Sequence, residues 1–126
     1  MSPEESDKLL ESMFGREDWE FERIICNADL DQKGDIIVLV DEVKKYIAPG
    51  LKKKEVQDLE NGKPIDILLF DEDSKAFYKL KLNFSRPYFL LCDTTLFYDN
   101  KKLTVGRRLG FRYEPYFAML VVKSLN

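Results

Sequence analysis

The sequence predicts a small, mainly β domain of seven short strands, arranged as a barrel or a sandwich, with two or three short helices. The apolar residues form short runs separated by polar turns, and the clearest of these runs alternate between apolar and polar side chains. The chain has 126 residues, a usual length for one domain, and 44% of them are apolar, which is sufficient for a core. We find no internal repeat and no second globular domain in the sequence.

Residues 1–18 are predicted to form an acidic helical leader, separate from the domain of residues 19–126. Acidic residues near the start suit the positive end of a helix dipole, and Gly15 ends the helical pattern. We expect the leader to contact either the domain or a protein partner. Its apolar side chains recur at helical spacing and are Leu9, Leu10, Met13 and Phe14.

The first half of the domain is predicted to contain two strands followed by two short helices. The chain becomes polar after the first strand and carries Gly34, so a loop is expected there. The second strand is a β-branched run, after which Asp41 is a suitable cap for a helix that ends at Pro49 and Gly50. The predicted elements are, in order, strands 21–26 and 36–40 and helices 42–47 and 52–59.

The second half is predicted to contain the other five strands and a third short helix. The strand of residues 76–82 alternates cleanly, with apolar and aromatic side chains on one face and Lys79 and Lys81 on the other. The polar segments 71–75 and 83–87 are predicted as the loops before and after this strand. The predicted strands are 65–70, 76–82, 88–91, 108–114 and 117–122, and the helix is 94–98.

The charge of the chain is distributed unevenly. The formal net charge is −3, but residues 1–22 hold eight acidic and two basic residues, a net charge of −6. The remaining 15 acidic and 18 basic residues give residues 23–126 a net charge of +3. An acidic leader therefore precedes a mildly basic domain, which is compatible with a phosphate-binding face.

The residues needed for common catalytic and metal sites are missing. The chain has no histidine and two cysteines, which excludes a structural zinc site of the usual kind and removes the commonest general base. We therefore expect no enzyme activity, no cofactor, no metal and no small-molecule substrate. Cys26 and Cys92 lie in apolar runs and are predicted to be buried, reduced thiols. No apolar run approaches the roughly 20 residues of a membrane span, so no contact with a membrane is expected.

Four segments, taken in order, resemble one known family of domains. Together they cover roughly residues 20–123, and the resemblance is to the plant B3 DNA-binding domain. The stretch 51–62 is similar to a diverged, plant-specific subgroup of these domains. The resemblance implies a seven-stranded open DNA-binding pseudobarrel with two or three short helices. The four segments are 21–30, 36–46, 66–82 with its Asp-x-x-Ser-Lys hairpin, and Leu103–Gly106 followed by Leu109, Gly110 and Phe111.

The resemblance also implies a function, that of the DNA-binding module of a plant transcription regulator in the nucleus. In the family, two loops straddle the major groove of double-stranded DNA. They correspond to residues 31–35, the first connector, and residues 83–88, the second connector. We expect both connectors to project from the same side of one closed sheet.

The expected DNA contacts follow from the side chains in and near the two connectors. Arg86 can pair with a guanine edge, and Asn83 or Gln32 with an adenine edge. Phosphate contacts are expected from Lys33, Lys79 and Lys81. Ser85 and Tyr88 complete the expected DNA-binding set in the second connector.

A second interpretation stays open at this point. Asp31 and Asp35 flank Lys33, and carboxylates beside a phosphate contact disfavour DNA. The alternative is a diverged pseudobarrel that no longer binds DNA and acts as a protein-interaction module, with the leader as one possible contact.

Overall fold

The computed structural model describes residues 19–26 and 35–125, and within them seven strands form a single sheet. The strands are β1 Phe21–Ile24, β2 Ile36–Val38, β3 Ile65–Asp71, β4 Ala76–Ser85, β5 Tyr88–Cys92, β6 Arg108–Glu114 and β7 Met119–Ser124. Their order across the sheet is β1-β6-β7-β3-β4-β5-β2. Neighbouring strands are antiparallel except β3 and β7, which run parallel. The predicted number of strands is confirmed.

Three helical segments cover the ends of the curled sheet in the described part of the chain. The first, α1, combines a turn of α-helix, Val40–Glu42, with a π-helix, Val43–Ile47, and a 3-10 turn, Ala48–Gly50. The second and third are α2, Lys53–Glu60, and α3, Thr95–Lys101. No helix among the described residues is long and apolar enough to cross a membrane.

The core lies inside the curl of the sheet because alternate side chains of every strand point inward. On β4, the inward residues Tyr78, Leu80 and Leu82 are buried, as the alternation predicts. The fully buried side chains come from five further strands and from α1 and α3. Among them are Val38, Ile47, Leu69, Leu91, Phe97, Phe111 and Leu120.

The curled sheet has an open seam between its two edge strands. Among the described residues, no backbone pairing joins β1 to β2. Arg23 of β1 crosses this seam, because its Nε donates a hydrogen bond to the carbonyl of Ile37 at 2.7 Å and its guanidinium forms an ion pair with Glu42. Burial lowers the pKa of Arg23, but an arginine stays charged at any pH of interest. Arg23 thus connects β1 to β2 and α1 at the place where no backbone ladder between described residues closes the barrel.

Replacing Arg23 with methionine is expected to lower the free energy of unfolding by about 1–3 kcal/mol, since a charged hydrogen bond is lost and the half-buried Glu42 carboxylate no longer has a cation beside it. Urea unfolding followed by circular dichroism measures this. Arg108→Met is the matched control, because Arg108 and Glu22 form an exposed pair at 3.0 Å that is expected to contribute under about 1 kcal/mol. Equal losses in the two variants would show that Arg23 does not hold the seam.

The predicted loop 83–87 is wrong over most of its length. β4 continues to Ser85, and the turn to β5 consists of Arg86 and Pro87, joined by a cis peptide bond. The ladder continues because Phe84 faces Phe89 across the two strands, with ring centroids 4.8 Å apart. Such an aromatic cross-strand pair stabilises a sheet, so the hairpin is tight where the sequence predicts a polar loop.

The predicted end of the second strand is also wrong. β2 stops at Val38, and α1 begins at Val40. The Glu42 carboxylate accepts a hydrogen bond from the backbone N–H of Leu39 at 2.9 Å, and so performs the capping that the sequence predicts for Asp41. The helix therefore starts earlier than expected, within the β-branched run.

Two boundaries near the C-terminal end differ as well. The helix predicted for 94–98 continues to Lys101. The next residue, Lys102, caps it with a positive φ of 53°. The last strand begins at Met119, two residues later than predicted, because Tyr116 and Phe117 form part of an exposed turn.

The prediction that both cysteines are buried is wrong. The two cysteines do not form a disulfide; Cys26 is exposed and Cys92 is half-buried on the outer side of β5. Partial burial raises the pKa of the Cys92 thiol, and the nearby carboxylates of Asp35 and Asp93 raise it further. The thiol is thus less reactive than an ordinary exposed cysteine.

Candidate nucleic-acid interface

The β4–β5 hairpin gathers the described residues of the second connector on one surface. On β4, the residues that point away from the core include Lys79, Lys81, Asn83 and Ser85. Tyr88 of β5 lies directly opposite Ser85 and therefore shares its face. We call these five residues the outer hairpin face.

Neighbouring strands extend this face in rows that run across the sheet. Asn83 faces Leu90 of β5, which in turn faces Ile37 of β2. The next row joins Lys81 to Cys92 on one side and to Asp66 of β3 on the other. The outer hairpin face therefore continues onto a short, flat strip of polar and apolar side chains toward the edge strand β2.

Arg86 occupies the tip of the hairpin beside this face. It is exposed, as is Pro87, while Ser85 and Tyr88 on either side of the turn are half-buried. A two-residue turn between paired strands restricts where the arginine backbone can lie, although its long side chain is free to reach outward. The Arg86 guanidinium is therefore presented from a turn whose backbone is restrained by the two paired strands.

The charges on this face are partly compensated. Lys81 forms an exposed ion pair with Asp66, its cross-strand partner. The hydrogen bond and charge of Lys81 lower the pKa of Asp66, and those of Asp66 raise the pKa of Lys81. The negative charge of Asp93 raises the pKa of Lys81 further, but by less than Asp66 does. The cationic part of the surface is therefore its Arg86 end, together with the exposed Lys79.

The two predicted connectors are attached at opposite ends of one strand pair. That both project from the same side of the sheet stays a prediction, because residues 31–34 lie outside the described residues. Gln32 and Lys33 lie outside the described residues, but Asp35 directly precedes β2, where Ile36 faces Leu91. Because β2 and β5 are antiparallel, this point is at the far end of β5 from Arg86. The separation is about 14–17 Å at roughly 3.4 Å per residue. A DNA major groove is about 12 Å wide, so attachment at opposite ends suits a pair of connectors that flank a groove.

Sequence reasoning missed Asp66 as a neighbour of the proposed phosphate contacts. The signal was present, because a hairpin whose turn lies at 72–75 places residue 66 opposite residue 81. The leucine and isoleucine in the row of Asn83 were also missed. The position of Leu90 follows from the β4–β5 hairpin, whereas that of Ile37 depends on the pairing of β2 with β5, which are separated by about 50 residues of chain and which no local pattern connects.

The acidic hairpin between β3 and β4 has a structural role. Asp71 accepts a hydrogen bond from Ser74 Oγ at 2.9 Å and forms an ion pair with Lys101 at 2.8 Å. Asp73 accepts from the backbone N–H of Ser124 at 2.8 Å and also contacts Lys101. Within the described ranges, no three histidine, cysteine or carboxylate side chains are grouped as a metal site.

Comparisons with known proteins identify the fold. No family model and no curated protein matches the chain. Among solved structures, the chain is similar to the Arabidopsis FUS3–DNA complex with a TM-score of 0.63 and 18% sequence identity. The likeness covers 85% of this chain and 96% of that chain, so it extends over a complete domain and not a shared substructure. The protein therefore has the fold of the plant B3 domain, in a diverged form.

Proposed function

We propose that this protein is the DNA-binding module of a plant transcription regulator, acts in the nucleus and has no enzyme activity. The observation that carries the proposal is the clustering of six predicted contact residues on and beside the outer hairpin face. Five of them share that face and Arg86 is exposed at its tip. The structural likeness to a protein solved in complex with DNA supports the same function.

The positions of these residues indicate which of them can contact bases and which can contact phosphates. Arg86 at the tip can present two parallel N–H groups to a guanine edge, and Asn83 can pair with an adenine. Lys79 can hold a phosphate, which fixes the register of the protein on the duplex. Lys81 can do so only by exchanging Asp66 for the phosphate. In this proposal Gln32 and Lys33 contact the opposite edge of the groove from the other connector.

The Arg86→Ala variant is expected to bind duplex DNA about 5- to 150-fold more weakly than the wild type, which corresponds to the roughly 1–3 kcal/mol of one good base contact. Fluorescence anisotropy with duplexes that the wild type selects from a sequence-randomised pool measures the affinity at several salt concentrations. For the wild type, the logarithm of affinity should fall linearly with the logarithm of salt concentration. The melting temperature should stay nearly unchanged, because Arg86 is exposed.

The control for this experiment is Arg108→Ala, which removes an exposed arginine from β6 at the other end of the barrel. It should retain the affinity of the wild type. The proposal is wrong if the wild type does not bind at about 50 mM salt, or if the two arginine variants bind equally well.

A second candidate function, a protein-interaction module, is favoured by one feature of the β6–β7 turn. Tyr116 and Phe117 are 78% and 46% exposed, and their rings meet edge to face at 5.2 Å. Exposed aromatic pairs are common anchors of protein interfaces. Absence of DNA binding by the folded wild type would leave this function as the one to pursue.

A further inference from the structure

An apolar groove opens at the end of the barrel that carries the β4–β5 turn. Two aromatic rings of the hairpin form one wall, and aliphatic side chains of the helices form the other. Its volume is about 240 Å³ and almost all of its lining is apolar. The apolar lining residues are Val40, Val43, Ala48, Val56, Phe84 and Phe89, with Leu59 at the base.

The shape and chemistry of this groove suit a peptide side chain better than a metabolite. Small-molecule sites are usually about 300–1,000 Å³ and place a few polar groups among apolar ones. Here the polar side chains are Lys44 and Glu60, on the helices that form its wall. A groove of this kind, between a helix pair and a hairpin, is typical of surfaces that bind the apolar side of an amphipathic helix.

The N-terminal segment reaches the domain at this same end. The backbone N–H of Glu20 donates to the carbonyl of Phe111 at 2.9 Å, and its carboxylate accepts from the N–H of Tyr113 at 2.5 Å. Phe21 stacks on Tyr46 of α1, the helix that forms one wall of the groove, with ring centroids 6.4 Å apart. Glu20 and Phe21, which follow the leader along the chain, therefore lie at the groove end of the barrel.

We propose that the groove is the docking site for the apolar side chains of the leader, residues 1–18 of the same chain. The nine residue-to-residue steps from Leu10 to Trp19 can span up to about 30 Å when extended, which is enough to return to an adjacent groove. The leader supplies four apolar side chains at helical spacing, and they are Leu9, Leu10, Met13 and Phe14. Helix-in-groove binding uses anchors with this spacing.

Charge is compatible with this arrangement. Residues 1–18 hold six acidic and two basic residues, a net charge of −4, whereas Lys44 lies in the wall of the groove and Lys52, Lys53 and Lys54 lie at the start of α2. The acidic residues of the leader can therefore face these lysines while its apolar residues enter the groove. The proposal does not depend on DNA binding, so the two can fail separately.

Paramagnetic relaxation from a nitroxide on the leader provides the test. The label is attached to Ser12→Cys in the full chain, with Cys26 and Cys92 replaced by serine, and valine methyl groups are observed. The chain has seven valines, of which Val40, Val43 and Val56 line the groove. We expect selective broadening of these three. Val105, before β6, and Val122, in β7, are internal controls.

Broadening that is absent, or equal across the valines, overturns the proposal. Broadening that appears only between labelled and unlabelled molecules in a mixed sample would also overturn it, since the occupant is then a second copy. Leu10→Asp combined with Phe14→Asp should abolish the effect, while Ser2→Asp should not.

A label-free measurement covers the case in which the cysteine replacements disturb the fold. With both native cysteines present, Leu10→Asp with Phe14→Asp should shift the methyl resonances of the three groove valines and leave those of Val105 and Val122 in place. Unchanged groove resonances would count against docking.

Discussion

Replacing Arg112 with methionine is expected to lower the free energy of unfolding by about 3–5 kcal/mol, the usual cost of removing one partner from a buried ion pair. Arg112 is fully buried in the centre of β6. Its Nε donates to the Glu114 carboxylate at 2.9 Å, and its Nη1 lies 3.5 Å from the Glu72 carboxylate. The variant leaves both carboxylates away from water without a cation.

The surroundings of Arg112 explain why it is buried on the outer side of the sheet. The ring of Trp19 lies over the guanidinium at 4.7 Å and packs directly on Gly110, where an added Cβ would come within 2.5 Å of the indole. Trp19 also joins a small apolar cluster with Phe70 and Val121. The indole thereby excludes water from a patch that would otherwise be solvated.

The matched control is Arg108→Met on the same strand, whose exposed pair with Glu22 should contribute under about 1 kcal/mol. Adding Glu72→Gln and Glu114→Gln to Arg112→Met should restore much of the lost stability, because no buried charge then remains unpaired. Urea unfolding measures all four proteins. A loss in Arg112→Met no larger than in the control, or no recovery in the triple variant, would contradict this account.

Replacing Lys101 with methionine is the second variant with a large expected effect, a loss of about 3 kcal/mol. The Lys101 ammonium is almost fully buried between Asp71 at 2.8 Å and Asp73 at 2.9 Å, and so joins α3 to the β3–β4 hairpin. Lys102→Met is the control, since Lys102 is the next residue and is exposed. Similar unfolding midpoints for the two variants would refute this role of Lys101.

The same cluster predicts how stability depends on pH. Burial opposes ionisation of Asp73, but the Ser124 N–H and Lys101 outweigh it, so the pKa of Asp73 lies below its usual value. A carboxyl group with a lowered folded-state pKa stabilises the protein above its unfolded pKa of about 3.9, and this stabilisation is lost as the pH falls through the folded value. Stability of the wild type should therefore decrease below about pH 4, with a smaller decrease in Lys101→Met. Equal acid dependence in both proteins would contradict the link.

Much of the candidate interface was predictable from local patterns. Alternation along residues 76–82 places Lys79 and Lys81 on the face opposite the core, and the structure shows both there. The polar residues around Arg86 indicated a connector, although it is a tight turn and not a loop, because the facing pair of Phe84 and Phe89 extends the ladder. Periodicity identifies which side of a strand is buried, but a facing aromatic pair depends on register.

The burial of charged side chains could not be predicted from the sequence. Arg112 and Glu114 occupy the alternating positions that normally face water, yet both are buried. Trp19, from a different part of the chain, lies over Arg112, which in turn pairs with Glu114. The seam is a similar case, since Arg23 and Glu42 are 19 residues apart and meet only when the sheet curls. Each of these contacts requires the complete fold before its partners become neighbours.

The sequence alone determined the mainly β class, the number of strands, the inner and outer faces of β4 and the negative charge of residues 1–18, because these depend on composition and on side-chain periods within one segment. The helix predicted for residues 1–18 lies outside the described residues and stays a prediction. Tertiary structure alone decided that the sheet stays open at β1 and β2, that the two connectors attach at opposite ends of the β2–β5 pair, and that an apolar groove remains beside α1. These properties depend on pairing between distant segments, and the free energy of such pairing belongs to the assembled sheet and not to any one stretch of the chain.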